Sequence, residues 1–154
     1  MSVKVKTKPF GEIDVHEKQI IFFPEGILGF DFIKKFILLD SDRENNPFKW
    51  LQAFDEAGLA FVIIRPVDFM LNYELVISQS DLEAVGTKRP DDLLVYAIVT
   101  IPSTNPTEMT ANLQGPVIIN PEKSLGRQAI SLSEKYTVRH KILEEIKKIT
   151  GAAG

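Results

Sequence analysis

The stretch LLVYAIVTI, residues 93–101, is the longest nearly unbroken apolar run in the chain, and it decides the fold class. β-Branched and large apolar residues dominate it, which suits a strand buried on both faces. Pro102 follows at once and ends the run, because proline lacks the amide hydrogen that a sheet ladder needs. A run this short cannot cross a bilayer as a helix, which takes about 20 residues. We therefore predict a central strand at residues 93–101.

Further short extended segments surround this run, separated by turn signals. Val3 and Val5 alternate with lysines, a pattern that predicts a strand with one solvated face. Other predicted strands lie at residues 13–15, 20–23, 36–39, 48–54, 59–64, 73–77, 109–113, 117–119 and 128–132. So many short strands without an internal repeat are typical of a sandwich or barrel. We expect residues 1–150 to form one domain and residues 151–154 to form a frayed tail.

Two segments carry helical signals. The sequence SDLE at residues 80–83 fits a capping box and predicts one or two turns that end before Gly86. Residues 139–150 place an apolar stripe on one helical face, formed by Ile142, Leu143, Ile146 and Ile149. We expect this second helix to close a barrel end or cover an edge strand, with a mobile arm as the alternative. These signals predict a mainly β, single-domain fold, either a sandwich or a barrel, with one short helix and a C-terminal helix.

Composition and charge exclude several functional classes. The chain has no cysteine, which excludes disulfides, thiolate metal sites and a cysteine nucleophile. It shows no signal-peptide pattern at its start, so we expect a cytoplasmic protein that does not enter the membrane. The net charge is −3, but residues 40–92 carry eleven acidic and five basic side chains. This acidic middle disfavours direct nucleic-acid binding and suits a basic protein partner, with a merely solvated surface as the plain alternative.

The sequence shows little catalytic chemistry. The two histidines, His16 and His140, lie far apart and have no second ligand at metal-binding spacing, so we expect no metal and no cofactor. There is no glycine-rich phosphate loop and no nucleophile elbow around a serine. Two other classes stay open: a small β-barrel that binds single-stranded nucleic acid, and a barrel enzyme with one histidine as general base. A gel shift tests the first class, and a pocket enclosing a histidine would support the second.

Several sequence blocks, taken together and in order, resemble the FliW family. The resemblance covers nearly the whole chain, although Gly115 stands where alanine is more common in the family. The blocks are FGEI at 10–13, IFFPEGILGF at 21–30, PFKWLQ at 47–52, LAF at 59–61, VTIP at 99–102 and TANLQGPVIIN at 110–120, with Pro66, Tyr73, Gln128, Tyr136, Arg139 and His140.

The resemblance implies a non-catalytic flagellar assembly factor and decides between the two fold classes. The expected fold is mainly β: a single-domain, small antiparallel β-barrel-like fold with one short helix and a C-terminal helix. Such proteins bind newly made flagellin and, when flagellin is scarce, bind the RNA-binding regulator CsrA. CsrA occupied in this way no longer represses flagellin translation. We accordingly expect flagellin and CsrA as partners, and a monomer when the protein is free.

Seven residues are the candidates for partner contacts. Asp91 and Asp92 precede the central strand in a proline-marked loop and are the first choice for a basic partner. Phe30, which directly follows the segment between Gly26 and Gly29, and the pair Ile101 and Pro102 are candidate apolar contacts. The remaining two candidates are Asn112 and Leu113. The alternative interpretation of these two is structural: the asparagine side chain holds a turn together by hydrogen-bonding to the backbone.

Overall fold

The computed structural model describes residues 1–41, 43 and 45–150, so the predicted tail at residues 151–154 lies outside the described residues. Within this part of the chain, no helix is both long and apolar enough to span a membrane. The elements are β1 Ser2–Thr7, β2 Gly11–His16, β3 Ile21–Phe22, β4 Lys35–Asp40, β5 Lys49–Ala53, β6 Ala60–Ile64, α1 Gln79–Ala84, β7 Leu94–Thr100, β8 Thr110–Ala111, β9 Val117–Asn120, β10 Leu125–Gln128, β11 His140–Lys141 and α2 Ile142–Thr150.

Seven of these strands close into a barrel. Their order is β7-β6-β5-β4-β3-β10-β9, and β9 pairs back onto β7. Neighbouring strands are antiparallel except β3 and β10, which are parallel. Closure gives ladder partners to backbone groups that an open sheet would leave free at its edges. The predicted mainly β, barrel-like fold with a short helix and a C-terminal helix is confirmed.

Alternate side chains of the barrel strands form the main core, since successive strand residues point to opposite faces. Phe23 and Phe36 are fully buried in this core, and their rings meet edge to face with centroids 5.0 Å apart. Leu51, Ile63 and Tyr96 add large buried side chains from three other strands. Burial of such side chains supplies the main favourable free energy of folding.

Three smaller clusters cover the outside of the barrel. The β1–β2 hairpin packs over Ile37 and Leu39 of β4. A second cluster joins Val85, beside α1, to Ile118 of β9. A third joins the C-terminal segment to the Ala97 face of β7. Because β7 is buried on both faces, its sequence is apolar throughout, and the predicted central strand is confirmed at Leu94–Thr100.

Two predicted strands were wrong. Residues 73–77 alternate in exposure, but the described backbone joins them to residue 132 by a single hydrogen bond, from the amide of Leu132 to the carbonyl of Val76 (2.8 Å). The strand predicted at 128–132 is instead Leu125–Gln128, and residues 129–132 continue beyond it in an extended path. Alternation of apolar and polar residues indicates an extended backbone, but it does not show whether a second strand is hydrogen-bonded beside it. Both errors arose for this reason.

Both predicted helix starts were also wrong. The N-cap of α1 is Ser78, whose Oγ accepts a hydrogen bond from the Asp81 amide (3.0 Å), so Ser80 lies inside the helix. The second helix begins at Ile142 and not at residue 139, because residues 140–141 form β11 and pair with β8. This pairing gives β8 a neighbour on its outer side. The C-terminal segment therefore covers an edge strand, which is one of its two expected roles.

An ion-paired group joins β11 to α2. His140 Nε2 lies 3.0 Å from Glu145 Oε1, and Lys148 Nζ lies 3.2 Å from the same oxygen. Burial alone would raise the pKa of Glu145, but the hydrogen bonds from His140 and Lys148 outweigh burial, so the pKa is lowered. The charged carboxylate therefore stabilises the folded state.

We predict that any side chain at Gly126 destabilises the fold, because it would collide with the packed core. A Cβ atom there would lie 2.4 Å from Cζ of the buried Phe23 ring. Gly126→Ala should lower the free energy of unfolding by about 1–3 kcal/mol, the usual cost of overpacking. Urea denaturation measures the change. Gly58→Ala is the matched control, because a Cβ atom at Gly58 would have nothing within 4 Å and the backbone there is unstrained; equal losses in the two variants would contradict the packing argument.

We also predict a pH dependence from Glu145. Its folded pKa lies below the unfolded value, so its contribution is present above the unfolded pKa and is lost as the pH falls through the folded pKa. Glu145→Gln should therefore lower the free energy of unfolding at neutral pH by about 1 kcal/mol, and the thermal midpoint with it. Below about pH 5, the thermal midpoint of the variant should fall less than that of the wild-type chain. Thermal melts followed by circular dichroism measure both effects. Glu144→Gln, at an exposed site on the same helix, is the control and should change neither.

Candidate partner-binding surfaces

A bulge between β8 and β9 shapes one side of the barrel. Both strands pair with the same edge of β7, at Val99 and at Tyr96, but residues 112–116 loop out between the two pairings. Asn112 holds this bulge, because its Oδ1 accepts hydrogen bonds from the amides of Gln114 (3.1 Å) and Gly115 (2.8 Å). The structural interpretation of Asn112 as a turn residue is confirmed.

Leu113 lies behind the bulge and is fully buried. It packs in the cluster that contains Ala111 and Ile142. From the sequence we expected Leu113 to be a partner contact, but its side chain has no exposed surface here, because it anchors the bulge to the C-terminal segment. Asn112 keeps a half-buried side chain beside the surface groove described next.

A groove of about 430 Å³ lies beside the bulge, with the loop after β3 on its other side. Gln128 connects the two sides: its Oε1 accepts from the Leu28 amide (2.9 Å), and its Nε2 donates to the Gly115 carbonyl (3.1 Å). A Cβ atom on Gly115 would lie 3.0 Å from Gln128 Nε2. Glycine at this position therefore lets the Gln128 amide approach the bulge closely.

Three exposed apolar side chains line the groove. Leu28 is 85% exposed, Ile130 is 67% exposed and Val138 is 53% exposed. Apolar side chains gathered in this way mark interaction sites more often than isolated ones do. None of the three was among the contacts predicted from the sequence. The sequence carries no signal for Ile130, because alternation at residues 128–132 would place Ile130 and Leu132 on the buried face, whereas the structure buries Ala129 and Ser131 instead.

Charged side chains form one edge of the groove. Arg127 is hydrogen-bonded to Glu25 and, through Nε, to Asp81 Oδ1 at 2.8 Å. The hydrogen bond to Asp81 raises the pKa of Arg127 against the opposing effect of burial, and the nearby Glu25 adds to it. The guanidinium thus ties α1 to β10 and to the loop after β3. Glu25 and Arg127 both line the groove and pair with each other, whereas the buried Asp81 is not part of its lining.

The acidic loop before β7 lies where the sequence predicts it. Asp91 and Asp92 are both exposed and belong to a short 3₁₀ turn, Pro90–Asp92. Thr87 Oγ1 donates a hydrogen bond to Asp92 Oδ2 at 2.8 Å, which orients that carboxylate. Because the backbone turns here, the two side chains need not point to opposite faces as they would in a strand.

The other predicted contacts lie elsewhere. Phe30 is half-buried, and its ring meets Phe61 edge to face with centroids 5.3 Å apart, so it belongs largely to the core. Ile101 is exposed and Pro102 is half-buried, just beyond the end of β7. Since a strand rises about 3.3 Å per residue, β7 alone spans roughly 20 Å between them and the acidic loop at its other end. The predicted residues therefore form separate patches and not one site.

The two histidines serve local structure. His16 Nδ1 accepts a hydrogen bond from the Lys18 amide (3.1 Å), and His140 pairs with Glu145. Neither histidine lines the groove beside the bulge. Within the described ranges, no group of three or more histidine, aspartate or glutamate side chains has an arrangement suited to a metal ion.

Comparison with known proteins gives a consistent result. The model of the family described as FliW protein matches residues 4–142. A flagellar assembly factor FliW of Leptospira biflexa is 45% identical over 97% of both chains. That of Treponema denticola is 41% identical over 94% of this chain and 96% of its own. A crystal structure of the flagellar assembly factor FliW superposes with a TM-score of 0.81, at 36% identity, over 91% of this chain and 96% of that one.

The family model spans all seven barrel strands, and the two relatives match nearly the whole chain. The crystal structure shares its fold. The chain belongs to the FliW family.

Proposed function

We propose that this protein is a flagellar assembly factor that works in the cytoplasm by binding other proteins, without catalysis. The observation that carries the proposal is similarity over nearly the full chain to proteins named flagellar assembly factors. The described side chains support a binding role, because the exposed features are an apolar groove and an acidic loop. Both histidines, the candidate general bases, are engaged in structural hydrogen bonds.

We further propose two alternative partners, flagellin and CsrA. The acidic loop suits a basic RNA-binding regulator, because opposite charge accelerates encounter and favours the correct orientation. The apolar groove suits an apolar segment of flagellin. A protein held by flagellin is then unavailable to CsrA, and free CsrA represses flagellin translation. Sequestration of CsrA relieves that repression when flagellin is scarce.

Direct nucleic-acid binding is the alternative class, and the structure disfavours it. Stacking on single strands requires aromatic platforms within a basic groove. Of the ten phenylalanines, eight are buried or half-buried and two, Phe22 and Phe32, are exposed. The chain as a whole carries a net charge of −3, which does not favour phosphate binding. The protein is therefore better suited to bind a nucleic-acid-binding protein than to bind nucleic acid itself.

We predict that flagellin displaces CsrA from this protein. If the two partners exclude each other, free flagellin at about 100 times its Kd should weaken the apparent affinity for CsrA about 100-fold. Immobilised protein should retain CsrA at low salt, lose it as salt rises, and release it when purified flagellin is added. Bovine serum albumin at the same concentration is the control for non-specific displacement. Simultaneous retention of both partners at saturation would refute the switch.

We predict that the acidic loop sets the rate of CsrA association. Asp91→Lys with Asp92→Lys should lower the association rate several-fold and leave the thermal midpoint nearly unchanged, since both side chains are exposed. Surface plasmon resonance at two salt concentrations measures the rate. Asp55→Lys with Glu56→Lys is the matched control, because it makes the same change in net charge at another exposed turn. Equal slowing by both pairs would show that net charge, and not this loop, controls association.

A further inference from the structure

One end of the barrel is partly open, where β4 and β9 finish and β7 begins. Because alternate strand residues share a face, Leu94 faces inwards like Tyr96, which belongs to the main core. Leu94 is nevertheless 36% exposed, since it stands at the open end. Beside it lie inward-facing side chains of three other strands, Ile21, Leu38 and Ile119. These four side chains line a cavity, the barrel mouth.

The barrel mouth is a cavity of about 200 Å³ with an apolar floor and a polar rim. Two of the four aliphatic side chains, Ile21 and Ile119, are buried and form the floor. The rim carries Lys18 and Gln19 from the turn after β2, and Ser124 from the turn between β9 and β10. Small-molecule sites combine an apolar lining with a few polar groups in this way, and the mouths of β-barrels are among their usual places.

Lys18 gives the rim its charge. It is the one charged residue of the lining, and among the described residues its ammonium has no salt-bridge partner. Glu17, the preceding residue, lies 4.0 Å from the amino group of Met1. Asp40, two residues beyond Leu38 on β4, pairs with Lys49. Because both of these carboxylates are paired with other cations, the Lys18 ammonium is free to bind an anionic group at the rim.

The volume limits the size of the occupant. A cavity of about 150 Å³ holds one benzene molecule, which has six heavy atoms. On the same scale, the barrel mouth holds about eight heavy atoms. A nucleotide or a sugar is too polar for it, because the aliphatic floor offers no hydrogen bonds in return for lost hydration.

We infer that the barrel mouth binds a short-chain aliphatic carboxylate, with its chain on the aliphatic floor and its carboxylate at Lys18. Hexanoate, with eight heavy atoms, matches the volume. The site is independent of the partners proposed above, because neither flagellin nor CsrA enters its chemistry. An apolar side chain of a protein partner is the alternative occupant, since the acidic loop lies at the same end of the barrel.

The first test varies the length of the ligand chain. Titration of the ¹⁵N-labelled full chain with hexanoate, followed by heteronuclear NMR, should give saturable shift changes at residues 18–21, 38, 94 and 119–124. Affinity should rise about tenfold from butanoate to hexanoate, as two more methylene groups are buried. It should rise less than about twofold from octanoate to decanoate, because the mouth is then full.

The second test separates the charge of the rim from the apolar floor. Lys18→Gln should weaken hexanoate about two- to fivefold and leave the neutral 1-hexanol unchanged, as expected for an exposed ion pair. Lys4→Gln, at an exposed lysine outside the lining, is the matched control and should change neither ligand. Leu94→Asn should weaken both ligands about fivefold. Its matched control is Leu71→Asn, since Leu71 is 71% exposed and does not line the mouth.

Several outcomes would overturn the assignment. Equal affinity for hexanoate and hexylammonium, or equal effects of Lys18→Gln and Lys4→Gln, would show that the rim does not recognise an anion. A steady rise in affinity up to decanoate would indicate non-specific binding to apolar surface. Shift changes outside the mouth would place the ligand elsewhere. Loss of CsrA or flagellin binding in Leu94→Asn, with no binding of hexanoate to the wild-type chain, would make a protein side chain the occupant.

Discussion

The hydrogen bonding of β7 to three other strands is the constraint on which the rest of this structure depends. One edge of β7 pairs with β6, and the other pairs first with β9 and then with β8. The first two pairings close the barrel, and the third starts an outer ladder that β11 continues. One strand therefore belongs to two sheets, and the chain between β8 and β9 must loop out to serve both. The bulge at residues 112–116, and with it one wall of the groove, follows from this arrangement.

Burial of both faces of β7 explains how this one strand can belong to two sheets. Tyr96 and Ile98 face the barrel core, whereas Ala97 and Val99 face the cluster under the C-terminal segment. A strand with two apolar faces stays in place only if both faces are covered, and the C-terminal segment supplies the second cover. The full burial of Ile142 at the start of α2 then has a clear function, since it secures the outer ladder against β7.

The sequence predicted the fold class because its signals are local. Residues 93–101 predict a strand buried on both faces, and the series of short strands and turns predicts a sandwich or a barrel. The resemblance to the FliW family then favoured the barrel. The errors arose where the outcome depends on distant residues. Ser80 has the local form of a cap, yet Ser78 caps the helix, and Asp81 is bonded to Arg127 across 46 positions of the sequence. The groove could not be predicted for the same reason, since Leu28 and Gln128 meet across 100 positions. The acidic loop was located correctly because Pro90 and the strand after it define it locally.

Closure of the barrel also determines where free backbone groups can lie. A closed barrel leaves no free ladder edge among its own strands, so free backbone groups must come from segments that leave it. Residues 129–132 are such a segment, because β10 ends at Gln128 and β3 is too short to follow it further. Where strand pairing ends, the Gln128 side chain makes the connecting hydrogen bonds instead, to Leu28 on one side and to Gly115 on the other. The barrel thus gains its stability from complete pairing, while the groove lies where that pairing ends.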